Sequence, residues 1–157
     1  MSTAERLQLP EVRPMTASDL DVVMEIERSS FSTPWSRASF SSLINRDDAT
    51  LSVAVVEGAV AGYAVVWYVL QDAELGNLAV AHGWRRRGLG RQLLEWALAK
   101  ARERGAEQIF LEVRVSNQMA QRLYEHRGFE QAGLRRRYYR APVEDALVLR
   151  LELAPTK

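Results

Sequence analysis

The sequence predicts a single α/β domain whose centre is a mixed β-sheet. The length of 157 residues is typical of one domain. Strand-like apolar runs alternate with segments whose apolar residues recur at the helical period. Their order is one strand, two helices, three strands, one helix, one strand, one helix and two strands, without an internal repeat or linker. We therefore divide the chain into a flexible N-terminal tail, residues 1–10, and one domain, residues 11–157.

The predicted elements are separated by short connections. They are, in order, a strand at 11–16, helices at 16–31 and 32–44, two strands within 50–70 around a turn at 57–60, a strand at 73–81, a helix at 88–105, a strand at 107–114, a helix at 116–128, and strands at 135–140 and 145–153. Thr16 with Asp19, or Ser18 with Asp21, forms a capping box before the first helix. Ser36 is the expected N-cap of the second helix.

The helix at 88–105 and the strand that follows it have the clearest patterns. The apolar face of the helix consists of Leu89, Leu93, Leu94, Ala97, Leu98 and Ala101. Gly105 is expected to end this helix in the left-handed conformation. Alternation along the strand places Phe110, Glu112 and Arg114 on one face, and Leu111, Val113 and Val115 on the other.

Composition excludes several classes of protein. A net charge of +1 provides no overall field that would attract nucleic acid. The absence of cysteine excludes disulfides, thiolate metal sites and a cysteine nucleophile. The two histidines, His82 and His126, do not form a metal site without carboxylates, and we expect both on the surface. No apolar run reaches about 18 residues, and the charged start "MSTAERLQLP" does not resemble a signal peptide. These features predict a cytoplasmic protein that does not enter a membrane.

The segment "WRRRGLGRQLL" (84–94) combines four arginines and two glycines at the start of a helix. It lacks the lysine of a P-loop, and Leu93 occupies the third glycine position of a dinucleotide fingerprint. Two interpretations remain. One is a solvated turn with a basic surface. The other is a glycine-containing turn whose backbone N–H groups bind a pyrophosphate at the helix N-terminus, with arginine side chains around it.

The pattern Arg85-x-x-Gly88-x-Gly90 resembles the acetyl-coenzyme-A loop of the GCN5-related N-acetyltransferase (GNAT) superfamily. Four further stretches resemble its branch of ribosomal-protein alanine N-acetyltransferases, the RimI type. They are "PWSRASF" (34–40), "AELGNLAV" (73–80), "LEVRVSNQMAQRLYEHRGF" (111–129) and "RRRYYRAPVEDALVL" (135–149). The resemblance covers roughly residues 11–153. One departure is the run of three arginines before the first glycine, which is longer than the motif requires.

The resemblance implies the GNAT fold, with about seven strands and about four helices around one sheet. Its fourth and fifth strands splay apart, and coenzyme A enters between them. The thioester would then contact the backbone of the fourth strand at Leu78, Ala79 and Val80. The pyrophosphate would lie on Arg85, Arg86, Arg87, Gly88, Leu89, Gly90 and Arg91. Asn117 would contact the coenzyme arm and could also cap the helix that follows it. Acetyl-coenzyme A is the only cofactor implied, and no metal is required.

The same resemblance assigns the catalytic roles to Glu112 and Tyr124. Glu112 would take the proton from the substrate amine, directly or through water, and Tyr124 would protonate the leaving thiolate. From the residues alone, a salt bridge to Arg114 or another arginine is the alternative for Glu112, and core packing is the alternative for Tyr124. Glu74 is a second candidate base, although we favour a role for it in contacting the substrate.

Four aromatic residues lie in stretches that border the acceptor groove of the family, namely Phe31, Trp35, Tyr138 and Tyr139. Core packing is the alternative for each of them. The segment "LRRRYYR" (134–140) is either a patch for an acidic partner or a solvated strand edge.

The sequence thus predicts an enzyme that transfers acetyl from acetyl-coenzyme A to the N-terminal α-amine of a protein. By resemblance, the acceptor is a ribosomal protein that begins with Ala or Ser. The alternatives are an acetyltransferase for a small amine, such as a polyamine or an aminoglycoside, and a non-catalytic domain that binds coenzyme A. A nucleic-acid-binding module is disfavoured by the net charge of +1.

Overall fold

A seven-stranded sheet forms the centre of the computed structural model, which describes residues 10–153. Its strands are β1 (Glu11–Pro14), β2 (Ala49–Val56), β3 (Ala59–Val69), β4 (Asp72–Val80), β5 (Gln108–Arg114), β6 (Glu130–Tyr139) and β7 (Glu144–Glu152). The α-helices in the described residues are α1 (Leu20–Ser30), α2 (Arg37–Ile44), α3 (Leu89–Glu103) and α4 (Gln118–Arg127). The predicted fold class is therefore confirmed. Nearly all of the predicted tail lies outside the described residues.

The strands are arranged in the order β1-β2-β3-β4-β5-β7-β6. Neighbouring strands run antiparallel except β4 and β5, which are parallel. A parallel pair requires a crossover connection. Here the crossover contains α3, which packs across β2, β3 and β4.

The parallel pair separates halfway along its length. Pairing extends from Asp72 to Leu75 on β4, and β4 then continues to Val80 without pairing with β5. The register between β3 and β4 shifts at Gly76, which marks a β-bulge. A Cβ atom at Gly76 would overlap the ring of Trp67, so the bulge requires glycine. This arrangement confirms the predicted splay of the fourth and fifth strands.

Helices cover both faces of the sheet. On one face, α3 and α4 form a core with the alternate residues Ile109, Leu111 and Val113 of β5. The buried residues of α3 are the six predicted ones, Leu89, Leu93, Leu94, Ala97, Leu98 and Ala101. On the other face, α1 and α2 pack on β2 and β3 around Phe40 and Tyr63. Phe110, Glu112 and Arg114 are half-buried residues of β5 on this second face, as predicted.

The predicted capping box between Thr16 and Asp19 is confirmed, although it opens a 3-10 turn that leads into α1. The Asp19 carboxylate also accepts hydrogen bonds of 2.8 and 2.9 Å from Arg13, which attach β1 to this turn. These bonds lower the pKa of Asp19 below its usual value. Ser36 caps α2 as predicted, and Gly105 adopts the left-handed conformation after α3.

The predicted starts of two elements were wrong by five residues. The second helix begins at Arg37 rather than near residue 32, since Pro34 and the extended cap Ser36 precede it. The sixth strand begins at Glu130, five residues before the predicted start of the strand at 135. Its first half, "EQAGL", shows no apolar alternation because β6 is an edge strand and most of its side chains are exposed.

Candidate active site

The gap between β4 and β5 exposes peptide groups of β4. The Ala81 N–H donates to Ala61 on the β3 side, whereas the Val80 carbonyl accepts from the Arg85 side chain at 3.0 Å. Because peptide groups alternate in direction along a strand, those of Leu78 and Val80 face away from β3 and into the gap. The N–H groups at this edge can therefore donate to a ligand that lies in the gap.

The gap is lined on its inner side by α3 and α4. A Cβ atom placed on Gly90 would point toward Leu123, Leu78 and Val80, at 3.5, 3.8 and 3.9 Å from their nearest carbon atoms. Gly90 therefore lies where the first turn of α3 meets β4 and α4. The missing side chain leaves room at this junction.

The loop before α3 has two residues in the left-handed region, Arg86 with φ of 64° and Gly88 with φ of 81°. Gly88 is the N-cap, and the N–H groups at the start of α3 have no acceptor within the helix. These donors and the positive end of the helix dipole favour an anion at this position. The loop thus has the geometry expected of a phosphate-binding turn.

The arginines of this loop differ in their surroundings. Arg85 is turned inward, because its Nε donates to the Val80 carbonyl. The guanidinium of Arg87 lies over the Trp84 ring, 5.0 Å from the centroid. Arg86 is exposed. Arg85 therefore has a structural contact of its own, and its predicted contact with the coenzyme stays a prediction.

Tyr124, on α4, belongs to the same core as the buried residues of α3 and is 7% exposed. Its ring packs edge-on against Phe129, with the centroids 5.5 Å apart. Burial raises the pKa of the Tyr124 phenol, and the neighbouring Tyr139 contributes in the same direction. A phenol in this environment stays protonated at neutral pH and is a weaker acid than an exposed tyrosine. Nearby, Asn117 caps α4 by accepting from the Ala120 N–H at 3.1 Å, which confirms that part of its expected role.

Glu112 lies on the opposite face of β5, with its side chain 29% exposed. Its carboxylate pairs with Arg135 at 2.9 Å, whereas Arg114 pairs with Glu144. A hydrogen bond to Glu112 raises the pKa of the Tyr138 phenol to about 12. Glu112 thus forms the expected salt bridge, and its arginine partner is Arg135 on the edge strand β6.

Tyr139 is influenced by Glu112 and itself influences Tyr124. The pKa of Tyr139 is raised first by burial and then by the negative charge of Glu112. Tyr139 in turn raises the pKa of Tyr124. Glu112 lies on the part of β5 beyond its pairing with β4, and Tyr124 is buried in the core on the other face of the sheet.

Two pairs of aromatic residues lie near Glu74 and Glu112, and they would form the walls of the predicted acceptor groove. Trp35 packs against Trp67 with the ring centroids 5.9 Å apart, and the Trp67 indole donates to Glu74 at 2.9 Å. Tyr138 and Tyr139 form an edge-to-face pair, with centroids 5.0 Å apart. Phe31, the fourth predicted aromatic residue, packs against the core under α1 and α2. The structure thus adds Trp67, which the sequence reasoning missed.

Glu27 is a second residue that the sequence reasoning missed. It is fully buried in α1. Its carboxyl group accepts hydrogen bonds from the Tyr63 hydroxyl, from the Asn77 side-chain amide at 2.9 Å and from the backbone N–H of Trp35 at 2.8 Å. Burial and the Glu27 carboxyl group raise the pKa of Tyr63. One side chain thus connects α1 to the bulged part of β4 and to the loop that contains Trp35. The available signal was the position of Glu27 on the apolar stripe of α1, three residues after Met24.

Within residues 10–153, no three His, Asp or Glu side chains are grouped so that they could hold a metal ion. None of the helices in this described range has both the length and the apolar character needed to cross a membrane.

Comparisons with known proteins identify the family. The model of the Acetyltransferase (GNAT) family matches residues 20–129. A protein of Bacillus subtilis (strain 168) is 40% identical over 139 residues, covering 88% of this chain and 92% of its own. The [ribosomal protein bS18]-alanine N-acetyltransferase of Escherichia coli (strain K12) is 36% identical over 146 residues, covering 91% and 97%. The crystal structure of the Escherichia coli ribosomal-protein-S18-alanine N-acetyltransferase superposes with a TM-score of 0.87 at 33% identity, covering 95% of this chain and 97% of that one.

The fold as a whole is shared with this acetyltransferase of Escherichia coli. The chain belongs to the acetyltransferase (GNAT) family.

The Glu27 cluster yields a prediction about stability. In Glu27→Gln, an NH₂ group replaces one acceptor oxygen and faces N–H or O–H donors, so the free energy of unfolding should fall by about 1–3 kcal/mol. Urea unfolding followed by circular dichroism measures the change. Glu25→Gln, on the exposed face of the same helix, is the matched control and should change stability by less than about 0.5 kcal/mol. Equal effects of the two substitutions would show that the buried network contributes no net stability.

Proposed function

We propose that this protein is an enzyme that transfers acetyl from acetyl-coenzyme A to the N-terminal α-amine of a ribosomal protein that begins with Ala or Ser. The observation that carries the proposal is the splay of β4 and β5, with Glu112 on the part of β5 beyond its pairing with β4 and Tyr124 buried in the core on the other face of the sheet. The name of the Escherichia coli relative, a [ribosomal protein bS18]-alanine N-acetyltransferase, supports the choice of acceptor.

In this proposal the coenzyme binds along the inner side of the gap. Its pyrophosphate accepts from the N–H groups of Gly88, Leu89, Gly90 and Arg91, while Arg86 and Arg87 supply positive charge from outside. Arg85 acts mainly by holding the end of β4 through the Val80 carbonyl. The pantetheine arm passes Asn117 and brings the thioester to the backbone of Leu78, Ala79 and Val80.

The reaction then needs one base and one acid. The amine nitrogen attacks the thioester carbon, and the Val80 N–H donates to the oxyanion that develops. Glu112 takes a proton from the amine, directly or through water, as the C–N bond forms. As the C–S bond breaks, Tyr124 gives its proton to the leaving sulfur. The phenol is protonated at neutral pH, and because burial raises its pKa it gives up this proton only to a base as strong as the departing thiolate beside it.

The proposed mechanism favours an α-amine over a lysine side chain, because the two amines differ in pKa. An α-amine has a pKa of about 8 and a lysine about 10.4, so at pH 7.5 roughly a quarter of α-amines are neutral, against about a thousandth of lysines. A single carboxylate is therefore better matched to an N-terminus. Glu74 attracts the positively charged N-terminus, and the two aromatic pairs, Trp35–Trp67 and Tyr138–Tyr139, enclose the first residue of the acceptor.

The phosphate-loop assignment can be tested at Gly90. In Gly90→Val, the branched side chain fills the junction between α3, α4 and β4, and the affinity for acetyl-coenzyme A should fall by about tenfold or more, since about 1.4 kcal/mol is lost per factor of ten. Calorimetry measures the affinity, and circular dichroism monitors the fold. Gly83→Val is the matched control, because a Cβ atom at Gly83 meets nothing within 4 Å. Unchanged affinity in a folded Gly90→Val protein would contradict the assignment.

The role of Tyr124 predicts a loss of turnover without a loss of binding. Tyr124→Phe keeps the ring that packs against Phe129, so ring packing and stability should be preserved. Turnover should fall by ~10²–10⁴, the range for a positioned acid, while the Kd of acetyl-coenzyme A stays the same. Tyr68→Phe, at the far end of β3, is the control. Normal turnover in Tyr124→Phe would leave Tyr124 with a packing role alone.

A panel of peptides tests the acceptor and the base together. Peptides that start with Ala or Ser should be acetylated at the first nitrogen, whereas internal lysines should react slowly, as mass spectrometry would show. Glu112→Gln should reduce the rate most at low pH, where few amines are neutral, and the deficit should shrink as the pH rises past about 8.

Three outcomes would contradict this reading. Preferential acetylation of lysine side chains would exclude an N-terminal acceptor. Faster turnover of polyamines or aminoglycosides than of any peptide would favour the small-amine alternative. A Glu112→Gln enzyme with the wild-type pH–rate profile would move the base to Glu74 or to bulk water.

A further inference from the structure

Arg114 joins the two walls of the proposed acceptor groove. Its guanidinium donates to the Ser32 hydroxyl at 3.0 Å, in the loop between α1 and α2. It also donates to the carbonyls of Arg140 at 2.9 Å and Pro142 at 3.1 Å, in the connection between β6 and β7. Ser32 itself donates to the Arg140 carbonyl at 3.4 Å. A single side chain thus bonds to segments that are far apart in the sequence.

The same guanidinium is held in place by its surroundings. It pairs with the Glu144 carboxylate at 3.2 Å, and Glu144 also accepts from the Ser116 N–H at the end of β5. Its plane lies over the Tyr139 ring, 4.4 Å from the centroid. Arg114 is 23% exposed and its charge is neutralised by Glu144, so its donors are directed at the protein rather than at an anionic ligand.

Each of the two segments to which Arg114 bonds contains residues of one wall of the proposed groove. The loop at 31–36 contains Phe31 and Trp35, and the connection after β6 begins directly after Tyr138 and Tyr139. The planar fork of an arginine, with five N–H donors, reaches several acceptors at once and stacks on an aromatic ring, which a lysine does not do.

We propose that Arg114 is a positioning residue that fixes the width of the acceptor groove by holding the loop at 31–36 against the connection between β6 and β7. The proposal rests on the proposed function, because it assigns this groove to the peptide. Arg114 does not touch the reacting atoms. It sets the affinity for the peptide while the coenzyme side of the gap, formed by α3 and α4, is unaffected.

The test compares Arg114→Gln, Arg114→Lys and Ser32→Ala with wild type. Arg13→Gln is the matched control, because Arg13 also forms a bidentate ion pair and a carbonyl bond, but at β1, far from the groove. The readouts are kcat and KM for a peptide that starts with Ala, the Kd of acetyl-coenzyme A, and hydrogen exchange of the segments 31–36 and 138–143.

For Arg114→Gln we expect KM for the peptide to rise by about tenfold, which corresponds to losing hydrogen bonds to a charged group. The Kd of acetyl-coenzyme A should not change, and both segments should exchange faster. Arg114→Lys should be intermediate. Ser32→Ala should raise KM by about twofold to fivefold in the wild-type background, and this effect should disappear in the Arg114→Gln background because both residues act through the same contact.

An unchanged KM in folded Arg114→Gln would overturn the proposal, as would an equal rise in Arg13→Gln or additive effects of Ser32→Ala and Arg114→Gln. If wild type does not acetylate peptides at all, the proposed function fails instead. Hydrogen exchange still decides the contact in that case: faster exchange of both segments in Arg114→Gln, but not in Arg13→Gln, supports the positioning role, and unchanged exchange overturns it.

Discussion

The contact between Gly76 and the ring of Trp67 is the constraint on which the site depends. It permits the bulge in β4, and after the bulge β4 no longer pairs with β5. In a continuous sheet, the peptide groups of Leu78 and Val80 would be bonded to the next strand and would not be accessible to a ligand. The divergence of the two strands thus provides both the opening and its hydrogen-bond donors.

The sheet also separates the two substrate sites that we propose. The face covered by α3 and α4 contains Gly90, Tyr124 and the loop that we propose to bind phosphate, whereas the face beside α1 and α2 contains Glu112, Trp35 and Trp67. In the function that we propose, the coenzyme and the amine therefore approach from opposite sides and meet in the gap. Glu27 stabilises this arrangement from within the core, because it bonds to β3, to β4 and to the loop before α2.

Local patterns in the sequence predicted the parts of the fold that are amphipathic. The buried face of α3 and the alternation of Phe110, Glu112 and Arg114 follow from periodicity alone. The splay of β4 and β5 was predicted from the family resemblance and not from a local pattern. The position of Glu27 on the apolar stripe of α1 indicated burial, but its partners are up to 50 residues away in the sequence, so no local pattern showed what it binds. The fork of Arg114 was missed for the same reason, since Ser32 is 82 residues away.

The strand β6 lies at the edge of the sheet, where its outer backbone groups are open to solvent. An exposed edge of this kind can add a strand from another molecule and begin aggregation. Three consecutive arginines, Arg135–Arg137, occupy this edge, and the register is interrupted between Arg135 and Tyr139. Charge repulsion and an irregular backbone both oppose edge-to-edge association. The segment that contains Tyr138 and Tyr139, which we assign to the acceptor groove, therefore also opposes the joining of sheets from neighbouring molecules.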